Sequence, residues 1–357
     1  MTLLAILIIL IIEYYSFGFT PPYGLLIRRE NMALSPQREW VRQLFERYAN
    51  YLELHFNAGQ KQHGVIAWFV AILPVATLII LLCWIANTIH PVVSFLFNVY
   101  ALFLAITVKP ARDFTTLIHT ALAQDDLEEA RRLLSTWQHK RIDLWDQVAL
   151  CKYTIERLLL GLHLEFFGVL FWFFVGLPFG YSAALMLLYR FTITLSQKWG
   201  GLQQMEDQYL QNAEILDATG GISLETKQHD PLARFGRFAI HCAYWFDWIP
   251  ARVTALSYAI MGNFIDALQC WKMQASLWIP RNNAGVVLAS GAGALSIRLG
   301  EVLTQLDGSV EYRAQLGSGR LPEQADVLKA QALITRIIIL WVTLITLVTA
   351  AYWARFF

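Results

Sequence analysis

The fold of this chain is decided by the stretch VIAWFVAILPVATLIILLCWIANTI, residues Val65–Ile89, which contains no charged side chain. The hydrocarbon layer of a bilayer is about 30 Å thick, so a helix needs about 20 mainly apolar residues to cross it. Val65–Ile89 exceeds that length. The stretch therefore predicts a transmembrane helix, and we expect the chain to be an integral membrane protein.

The composition agrees with a membrane environment. Of the 357 residues, 56% are hydrophobic and 15% are charged, whereas soluble proteins carry about 25% charged residues. The net charge of +1 argues against nucleic-acid binding, which needs a basic face. The four cysteines are widely spaced and form no Cys-x-x-Cys pair, so the sequence predicts neither a disulfide framework nor a metal site.

Other apolar stretches also approach the length of a crossing. They are Pro91–Val108, Leu158–Leu188 and Ile337–Trp353. The shorter apolar stretch Met1–Ile12 lacks a preceding Lys or Arg and a small-residue cleavage site, so we expect a retained short anchor helix ending at Glu13 rather than a signal peptide. No stretch shows sustained alternation of apolar and polar residues. We therefore predict an all-α polytopic membrane protein with about six apolar crossings, the last of them at 337–353.

The distribution of Lys and Arg predicts the orientation, because these residues concentrate in cytoplasmic segments. Segments 26–61 and 109–157 are basic, while the Asn87–Pro91 turn has no Lys or Arg. We expect both segments to be cytoplasmic and helical, with the turn outside. Leu158–Leu188 fits either one long crossing or a hairpin broken at Gly176–Gly180. The hairpin is favoured because it returns the following basic residues to the cytoplasm.

The basic segments contain helices with one apolar face. Ser35 followed by Pro36 is typical of a helix start, and apolar residues recur after it at helical spacing. Asp125–Trp137 is predicted to be a second such helix, with glutamates placed three and four residues before arginines.

Region 238–300 is the candidate ligand-binding region. Phe238–Met261 is apolar but interrupted by Asp247, Pro250 and Arg252. Irregular backbone at membrane depth is tolerated where protein buries it or where it lines a cavity. Arg252 fits two interpretations: it binds a carboxylate or phosphate through paired hydrogen bonds, or it is a membrane-boundary charge paired with Asp247.

Asn283–Gly300 is rich in glycine and alanine. Small residues recur at about four-residue spacing, at Gly285, Ala289 and Gly293. This pattern favours close helix packing, or else a backbone that approaches a ligand phosphate where glycine removes the side chain. The segment matches neither a nucleotide-binding P-loop nor a dinucleotide-binding fingerprint.

Ionisable residues stand at the start of the stretch Leu158–Leu188. His163 and Glu165 lie inside it, and ionisable groups within a span are functional candidates because burying them alone is costly. Both stand close to the inner boundary, where that cost falls. Glu156 and Arg157, at the boundary itself, are equally compatible with solvated and functional roles.

Several motifs resemble the CobD/CbiB family of cobalamin biosynthesis. Residues 249–256, Ile-Pro-Ala-Arg-Val-Thr-Ala-Leu, are similar to its IPARLTAL segment. Residues 283–285 and 291–300 are similar to its NAG and AGALGVRLGG segments. Residues 121–135 match its AL…DL..AR..LS helix. Glu156 matches the glutamate of its IET motif, and residues 170–172 match its PLFW motif. The order of these motifs agrees over roughly residues 1–335.

The resemblance implies a location and a chemistry. That family lies in the bacterial inner (cytoplasmic) membrane and joins aminopropanol or its phosphate to a corrinoid carboxylate, forming an amide at the expense of ATP. The implied partners are membrane lipid, a corrinoid and aminopropanol phosphate, and ATP and Mg²⁺ would be the cofactors of an enzyme. The implied catalytic residues are Glu156 and Glu165, and the implied ligand-binding residues are Arg131, Arg252, Thr254, Asn283, Gly285 and Arg298.

The chain departs from the family pattern mainly at acidic residues. The family's EN..DG is replaced by Leu160-Gly161 and Leu164-Glu165, and its TLDS has become Thr194-Leu195-Ser196. The missing acids, with a short N-terminal helix ending at Glu13, also resemble AmpE, a smaller relative linked to the β-lactam response and cell-wall sensing. Two hypotheses follow: a divergent amide-forming enzyme, or a non-catalytic membrane sensor or regulator.

Overall fold

The computed structural model describes residues 36–57, 61–107, 109–138, 142, 145–199, 231–278, 283–300, 303–304, 310–311 and 313–354. The helices are α1 (Pro36–Phe56), α2 (Lys61–Ile89), α3 (Pro91–Ala105), α4 (Lys109–Ala123), α5 (Leu127–Gln138), α6 (Gln147–Leu162), α7 (Gly168–Gly176), α8 (Ser182–Trp199), α9 (Pro231–Met261), α10 (Phe264–Gln274), α11 (Ala284–Leu295) and α12 (Gln324–Ala354). Strands β1 (Leu303–Thr304) and β2 (Val310–Glu311) pair antiparallel. Apart from that short ladder the prediction of a helical protein is confirmed. The predicted anchor helix Met1–Ile12, with Glu13, lies outside the described residues.

Three helical stretches in the described part of the chain are long and apolar enough to cross a membrane, at 62–89, 147–179 and 324–348. In the most apolar segment of each stretch, the protein buries 22% of the residues in 62–89 and 28% in 324–348, but 56% in 147–179. The second stretch therefore lies at the centre of the bundle. The first and third keep most of their apolar surface on the outside, where lipid would cover it.

A tight turn joins α2 to α3. The His90 ring nitrogen Nδ1 accepts a hydrogen bond from the Val92 N–H at 3.2 Å, and Pro91 begins α3, where its missing N–H is tolerated. The side-chain amide of Asn87 donates to the carbonyl of Gly180 at 3.0 Å. The α2–α3 turn and the turn that contains Gly180 therefore lie at the same end of the bundle.

The stretch Leu158–Leu188 is broken in its middle, which confirms the favoured hairpin. α7 ends at Gly176, and the chain turns through Leu177–Phe179 to Gly180, whose φ of 73° is left-handed. A methyl group on Gly176 would lie 2.5 Å from the Ser182 Cα, so a side chain there would push the two helices apart. α7 and α8 consequently pack as an antiparallel pair.

Phe238–Met261, predicted to be interrupted, instead lies within the continuous helix α9. Pro250 has no N–H, so the carbonyl of Phe246 loses its usual partner within the helix. The indole N–H of Trp172 on α7 donates to that carbonyl at 3.0 Å. A side-chain donor thus replaces the missing backbone donor, and the helix continues.

The helices predicted within segments 26–61 and 109–157 are present. α1 begins at Pro36, and α5 covers most of the predicted stretch Asp125–Trp137. The Glu129 N–H donates to the Asp126 carboxylate at 2.9 Å and caps the start of α5. Glu129 also pairs with Arg132 one turn later, as the spacing predicted.

Buried apolar side chains form two clusters, and α8 takes part in both. The larger cluster gathers side chains of α6, α7, α8, α11 and α12, among them Leu159 and Tyr189. The smaller joins α1, α2, α8 and α9, where the rings of Trp199 and Phe235 meet at 5.1 Å. This double packing fixes α8, which carries the polar residues Arg190 and Thr194 between the clusters.

Candidate functional site

A cavity of about 690 Å³ lies between α1, α5, α6 and α8, a volume typical of small-molecule sites. Its charged lining comprises five arginines and two glutamates: Arg38, Arg42, Arg132, Arg157, Arg190, Glu39 and Glu165. Apolar side chains such as Phe45 and Phe114 complete the wall. The described lining therefore carries excess positive charge, which favours an anionic ligand.

The cavity lies far from the contact between Asn87 and Gly180. α3 begins beside that contact and reaches the cavity at Leu104 and Ala105, near its other end. α8 also begins there and lines the cavity from Leu187 onwards. Since the sequence predicts the Asn87 turn to be outside, we expect the cavity on the cytoplasmic side.

Carboxylates hold two of the arginines in the lining. Arg42 donates to the two carboxylate oxygens of Glu39 at 2.7 and 3.3 Å. The hydrogen bond with Glu39 raises the pKa of the Arg42 guanidinium above its ordinary value, with electrostatic contributions from neighbouring glutamates, Glu165 among them. Arg132 pairs with Glu129 in a similar way. The positive charges of Arg42 and Arg132 are thus largely balanced within their own helices.

Arg157 and Arg190 have different partners. Arg157 Nη2 donates to the Tyr153 hydroxyl at 2.5 Å, and its guanidinium lies 4.7 Å from the centroid of the Tyr153 ring. Arg190 Nη1 donates to the Leu164 carbonyl at 3.5 Å. Within the described residues neither guanidinium contacts a carboxylate. Each therefore keeps N–H donors for an anion that enters the cavity.

A π-helical turn, His163–Phe167, joins α6 to α7 and separates two environments. Glu165 lines the cavity. His163 instead faces α9: its Nε2 lies 3.0 Å from Asp247 Oδ2, and its Nδ1 lies 2.9 Å from the Thr254 hydroxyl. Such turns are common at functional sites, and this one serves the cavity and a buried polar network together.

The network around Asp247 joins three parts of the bundle. The Tyr189 hydroxyl of α8 donates to Asp247 Oδ1 at 2.8 Å, while His163 meets the other carboxylate oxygen. The Thr254 hydroxyl donates to a carbonyl of its own helix. All these side chains are buried. Asp247 is therefore bound by His163 and Tyr189, and the described ion pairs do not include the alternative partner Arg252.

Glu156 takes part in a separate buried contact. Its Oε1 accepts a hydrogen bond from the Gly300 N–H at 2.8 Å, and its Oε2 pairs with Arg313. Gly300 has a φ of 75°, which glycine adopts without a steric penalty. Glu156 thus anchors the chain that follows α11 to helix α6.

Arg252 and Asn283 contact each other outside the described lining of the cavity. Arg252 Nη1 donates to the Trp248 carbonyl at 2.7 Å and to Asn283 Oδ1 at 3.4 Å. Its guanidinium lies 3.7 Å from the centroid of the Trp248 ring. The Asn283 amide donates to the Tyr244 carbonyl at 2.9 Å. The IPAR-like and NAG-like motifs are therefore neighbours in space.

The glycines of α11 allow it to pack closely on the preceding helices. A methyl group on Gly285 would lie 2.3 Å from the carbonyl oxygen of Ala275. One on Gly293 would lie 2.5 Å from the carbonyl oxygen of Asp266. These distances support the helix-packing interpretation of the small-residue pattern.

The other predicted ligand-binding arginines also lie apart from the cavity. Arg131 Nε donates to the Trp145 carbonyl at 2.9 Å. The backbone N–H of Arg298 donates to the Arg320 carbonyl at 2.9 Å, and its side-chain Nε is buried without a hydrogen-bond partner among the described residues. Of the site residues predicted from the sequence, Glu165 is the one in the described lining.

Comparison with known proteins supplies the family. The profile described as "CobD/Cbib protein" matches residues 33–208 and 213–334. The chain belongs to the CobD/CbiB family. It is 31% identical over 292 residues to "Cobalamin biosynthesis protein CobD" of Stutzerimonas stutzeri (strain A1501), covering 81% of this chain and 84% of that protein.

Other proteins with the same name match shorter parts of the chain. The protein of the same name from Chromobacterium violaceum is 29% identical over 255 residues, which is 71% of each chain. That from Mycobacterium tuberculosis is 36% identical over 105 residues, covering 28% of this chain and 33% of the relative. No solved structure shows a significant match to the chain.

The sequence alone gives Arg190 no site role and leaves the role of Arg157 open. The sequence nevertheless contained a signal that pointed to this part of the CobD/CbiB fold. The positions where the sequence departs from the family's EN..DG motif, at Leu160-Gly161 and Leu164-Glu165, line the cavity. The missing acids and the two arginines therefore belong to one place in the fold.

The described part of the lining does not fit a Mg²⁺–nucleotide complex. Among the described residues, no group of three or more His, Cys, Asp or Glu side chains is arranged to hold a metal ion. Within the cavity Glu39 is bound to Arg42, and arginines outnumber the acids. Mg²⁺ needs oxygen ligands in near-octahedral geometry, whereas these arginines would repel it.

Proposed function

We propose that this CobD/CbiB-family protein acts in cobalamin biosynthesis at the membrane and binds the anionic group of a substrate in its arginine-lined cavity. Relatives named cobalamin biosynthesis protein CobD support the pathway. The lining of five arginines against two glutamates carries the assignment of the site. A corrinoid carboxylate and aminopropanol phosphate both bring the negative charge that guanidinium groups bind.

In the finer proposal, the amine of aminopropanol, or of its phosphate, is joined to a corrinoid carboxylate as an amide. The carboxylate would first be activated as an acyl phosphate at the expense of ATP bound outside this cavity, and phosphate would leave as the C–N bond replaces the C–O bond. Arg157 and Arg190 would hold the anionic group and reduce its charge. Glu165, the acid on the π-helical turn, would accept the proton that the attacking amine loses. These roles use side chains that line one cavity.

The second candidate function is binding without turnover, as in an AmpE-like sensor or regulator of the cell-wall response. The specific observation that favours it is the loss of the family's acidic motif residues at Leu160-Gly161 and Leu164-Glu165. A cavity with cations and few acids can retain an anion without activating it. Ligand binding would then change the protein's contacts with a partner rather than produce an amide.

We further propose an inner-membrane protein of the bacterial cell with about six crossings and with segments 26–61 and 109–157 in the cytoplasm. Support comes from the three long apolar helical stretches and from the contact of Asn87 with Gly180 at the end of the bundle away from the cavity. The arginines of the cavity would then face the compartment that contains the substrates.

Deletion of the gene in its own host tests the pathway. The deletion strain is expected to need added cobalamin under conditions where growth depends on it, and a plasmid copy should remove that need. A plasmid that carries the Arg157→Gln and Arg190→Gln changes should fail to do so, provided that the protein is present in the membrane. Normal growth of the deletion strain without cobalamin would contradict a role in the pathway.

Purified protein separates the two candidates. Incubation with ATP, Mg²⁺, aminopropanol phosphate and cobyric acid should give an amide product if the protein is an enzyme. A ligand-dependent rise in unfolding temperature without product would favour the sensor. The Arg252→Ala variant tests region 238–300: if it loses the rise while Arg157→Gln keeps it, the ligand binds at Arg252 and Asn283 instead of in the cavity.

A further inference from the structure

The chemistry of the cavity can be specified beyond its sign of charge. We propose that it binds a phosphate group directly between Arg157 and Arg190, without a divalent cation. The inference rests on the proposed function, because it names the ligand chemistry of the same site. It departs from the Mg²⁺–nucleotide chemistry that the family resemblance implies.

The guanidinium groups of Arg157 and Arg190 are held by neutral partners. Arg157 is positioned by the hydroxyl and ring of Tyr153, and Arg190 by the carbonyl of Leu164. These partners are neutral, and no carboxylate contacts either guanidinium in the described part of the chain. As far as the described residues go, both positive charges are therefore held in place without being neutralised. A phosphate dianion would balance the pair and accept several of their hydrogen bonds.

The two guanidinium groups lie in a partly apolar cavity. They project from different helices, α6 and α8, into a cavity whose wall includes Phe45, Phe114 and Leu187. Apolar walls lower the local dielectric constant and strengthen the attraction between guanidinium and phosphate. The same walls make an unbalanced pair of cations unfavourable, so an anion should also stabilise the folded protein.

The described lining is poorly suited to a divalent cation. A divalent cation would need several oxygen ligands, and the described lining offers Glu39, already bound to Arg42, and Glu165. Arginines beside these two acids would repel the cation. Phosphate should therefore bind as the free anion, and excess Mg²⁺ should not improve binding.

Thermal unfolding of the full-length protein in detergent, with inorganic phosphate as the probe, tests the inference. In EDTA the unfolding temperature should rise with phosphate concentration, and it should rise equally in excess Mg²⁺. Sodium chloride at matched ionic strength should give a much smaller rise. A rise that requires Mg²⁺, or no rise at all, would overturn the inference.

Variants locate the site. Arg157→Gln and Arg190→Gln should each weaken the response to phosphate about tenfold or more, because each removes charge-assisted hydrogen bonds. Arg157→Lys should keep part of it, since a lysine retains charge but not the planar pair of donors. Arg336→Gln is the matched control, because Arg336 is exposed and donates to a carbonyl of its own helix. If both Gln variants respond like the parent, phosphate binds elsewhere.

The folding of each variant is checked by its unfolding temperature without phosphate and by the Arg157→Lys protein.

Failure of the inference is distinct from failure of the proposed function. If phosphate binds without metal but deletion of the gene leaves cobalamin synthesis intact, the role in the pathway is contradicted and the phosphate site is not. A cobalamin requirement with phosphate binding that depends on Mg²⁺ would contradict this inference alone.

Discussion

The carboxylate of Glu156 accepts a hydrogen bond from the backbone N–H of Gly300, at 2.8 Å, although 144 positions separate the two residues in the chain. The same carboxylate pairs with Arg313, and both side chains are almost fully buried. Two motifs of the CobD/CbiB pattern, the IET-like glutamate and the RLG-like segment, are therefore joined in space. Glu156 holds the chain after α11 against α6, which is a structural task.

Replacing Glu156 tests that task. Glu156→Gln keeps the size of the side chain but removes the charge that balances Arg313. Loss of one partner from a buried ion pair costs about 3–5 kcal/mol, so the unfolding temperature in detergent should fall clearly. The double variant E156Q/R313Q should be more stable than the two single effects predict when added. A Glu156→Gln protein with parental stability but no activity would instead support the catalytic role that the sequence suggested.

Gly161 in α6 and Gly168 in α7 provide a matched comparison. A methyl group on Gly168 would lie 2.1 Å from the Tyr189 hydroxyl oxygen, whereas one on Gly161 would meet its nearest neighbour, the Cβ of Ala111, at 4.0 Å. Gly168→Ala should therefore destabilise the protein by about 1–3 kcal/mol through overpacking. Gly161→Ala should leave the unfolding temperature unchanged or raise it, because alanine favours a helix over glycine by about 1 kcal/mol. Equal effects of the two substitutions would show that Tyr189 can move aside.

The network around Asp247 can be dissected with two substitutions. Asp247→Ala leaves the His163 ring and the Tyr189 hydroxyl buried without their shared acceptor, at about 1–3 kcal/mol for each unsatisfied group. Asp247→Asn keeps an oxygen for one of them and should lower the unfolding temperature less. If the alanine protein is as stable as the asparagine protein, other polar groups satisfy His163 and Tyr189.

Labelling of introduced cysteines tests the topology. In a background without the four native cysteines, Phe179→Cys should react with a membrane-impermeant maleimide on intact cells, because Phe179 is 68% exposed at the turn that is proposed to lie outside. Glu128→Cys, at a side chain that is 95% exposed on α5, should react only after the membrane is opened. Reversed accessibility would place the cavity outside the cytoplasm.

The features of the fold that the sequence predicted correctly are those set by local patterns. The uninterrupted apolar run Val65–Ile89 predicts α2, and glycines around Pro178 predict the turn between α7 and α8. Phe238–Met261 was misread because its continuity depends on Trp172, which is 74 positions away from the Phe246 carbonyl that it satisfies. A pattern within one segment cannot show a donor that another segment supplies.

The site was harder to predict for the same physical reason. Arg252 drew attention because its motif is distinctive, yet it stacks on Trp248 of its own helix. Arg157 and Arg190 stand in unremarkable surroundings along the chain. Their proposed role rests on the absence of a carboxylate contact within the described structure, and that becomes visible when the neighbours of each guanidinium are known.

The π-helical turn His163–Phe167 sets the rotational phase of the central helix. Each residue of an α-helix advances the direction of its side chain by about 100°, and the turn contains one residue more than a regular turn would. Removal of one of its residues would rotate everything that follows by that angle relative to α6. Trp172 would then point away from the Phe246 carbonyl. The π-helical turn therefore decides whether Pro250 can be accommodated within α9.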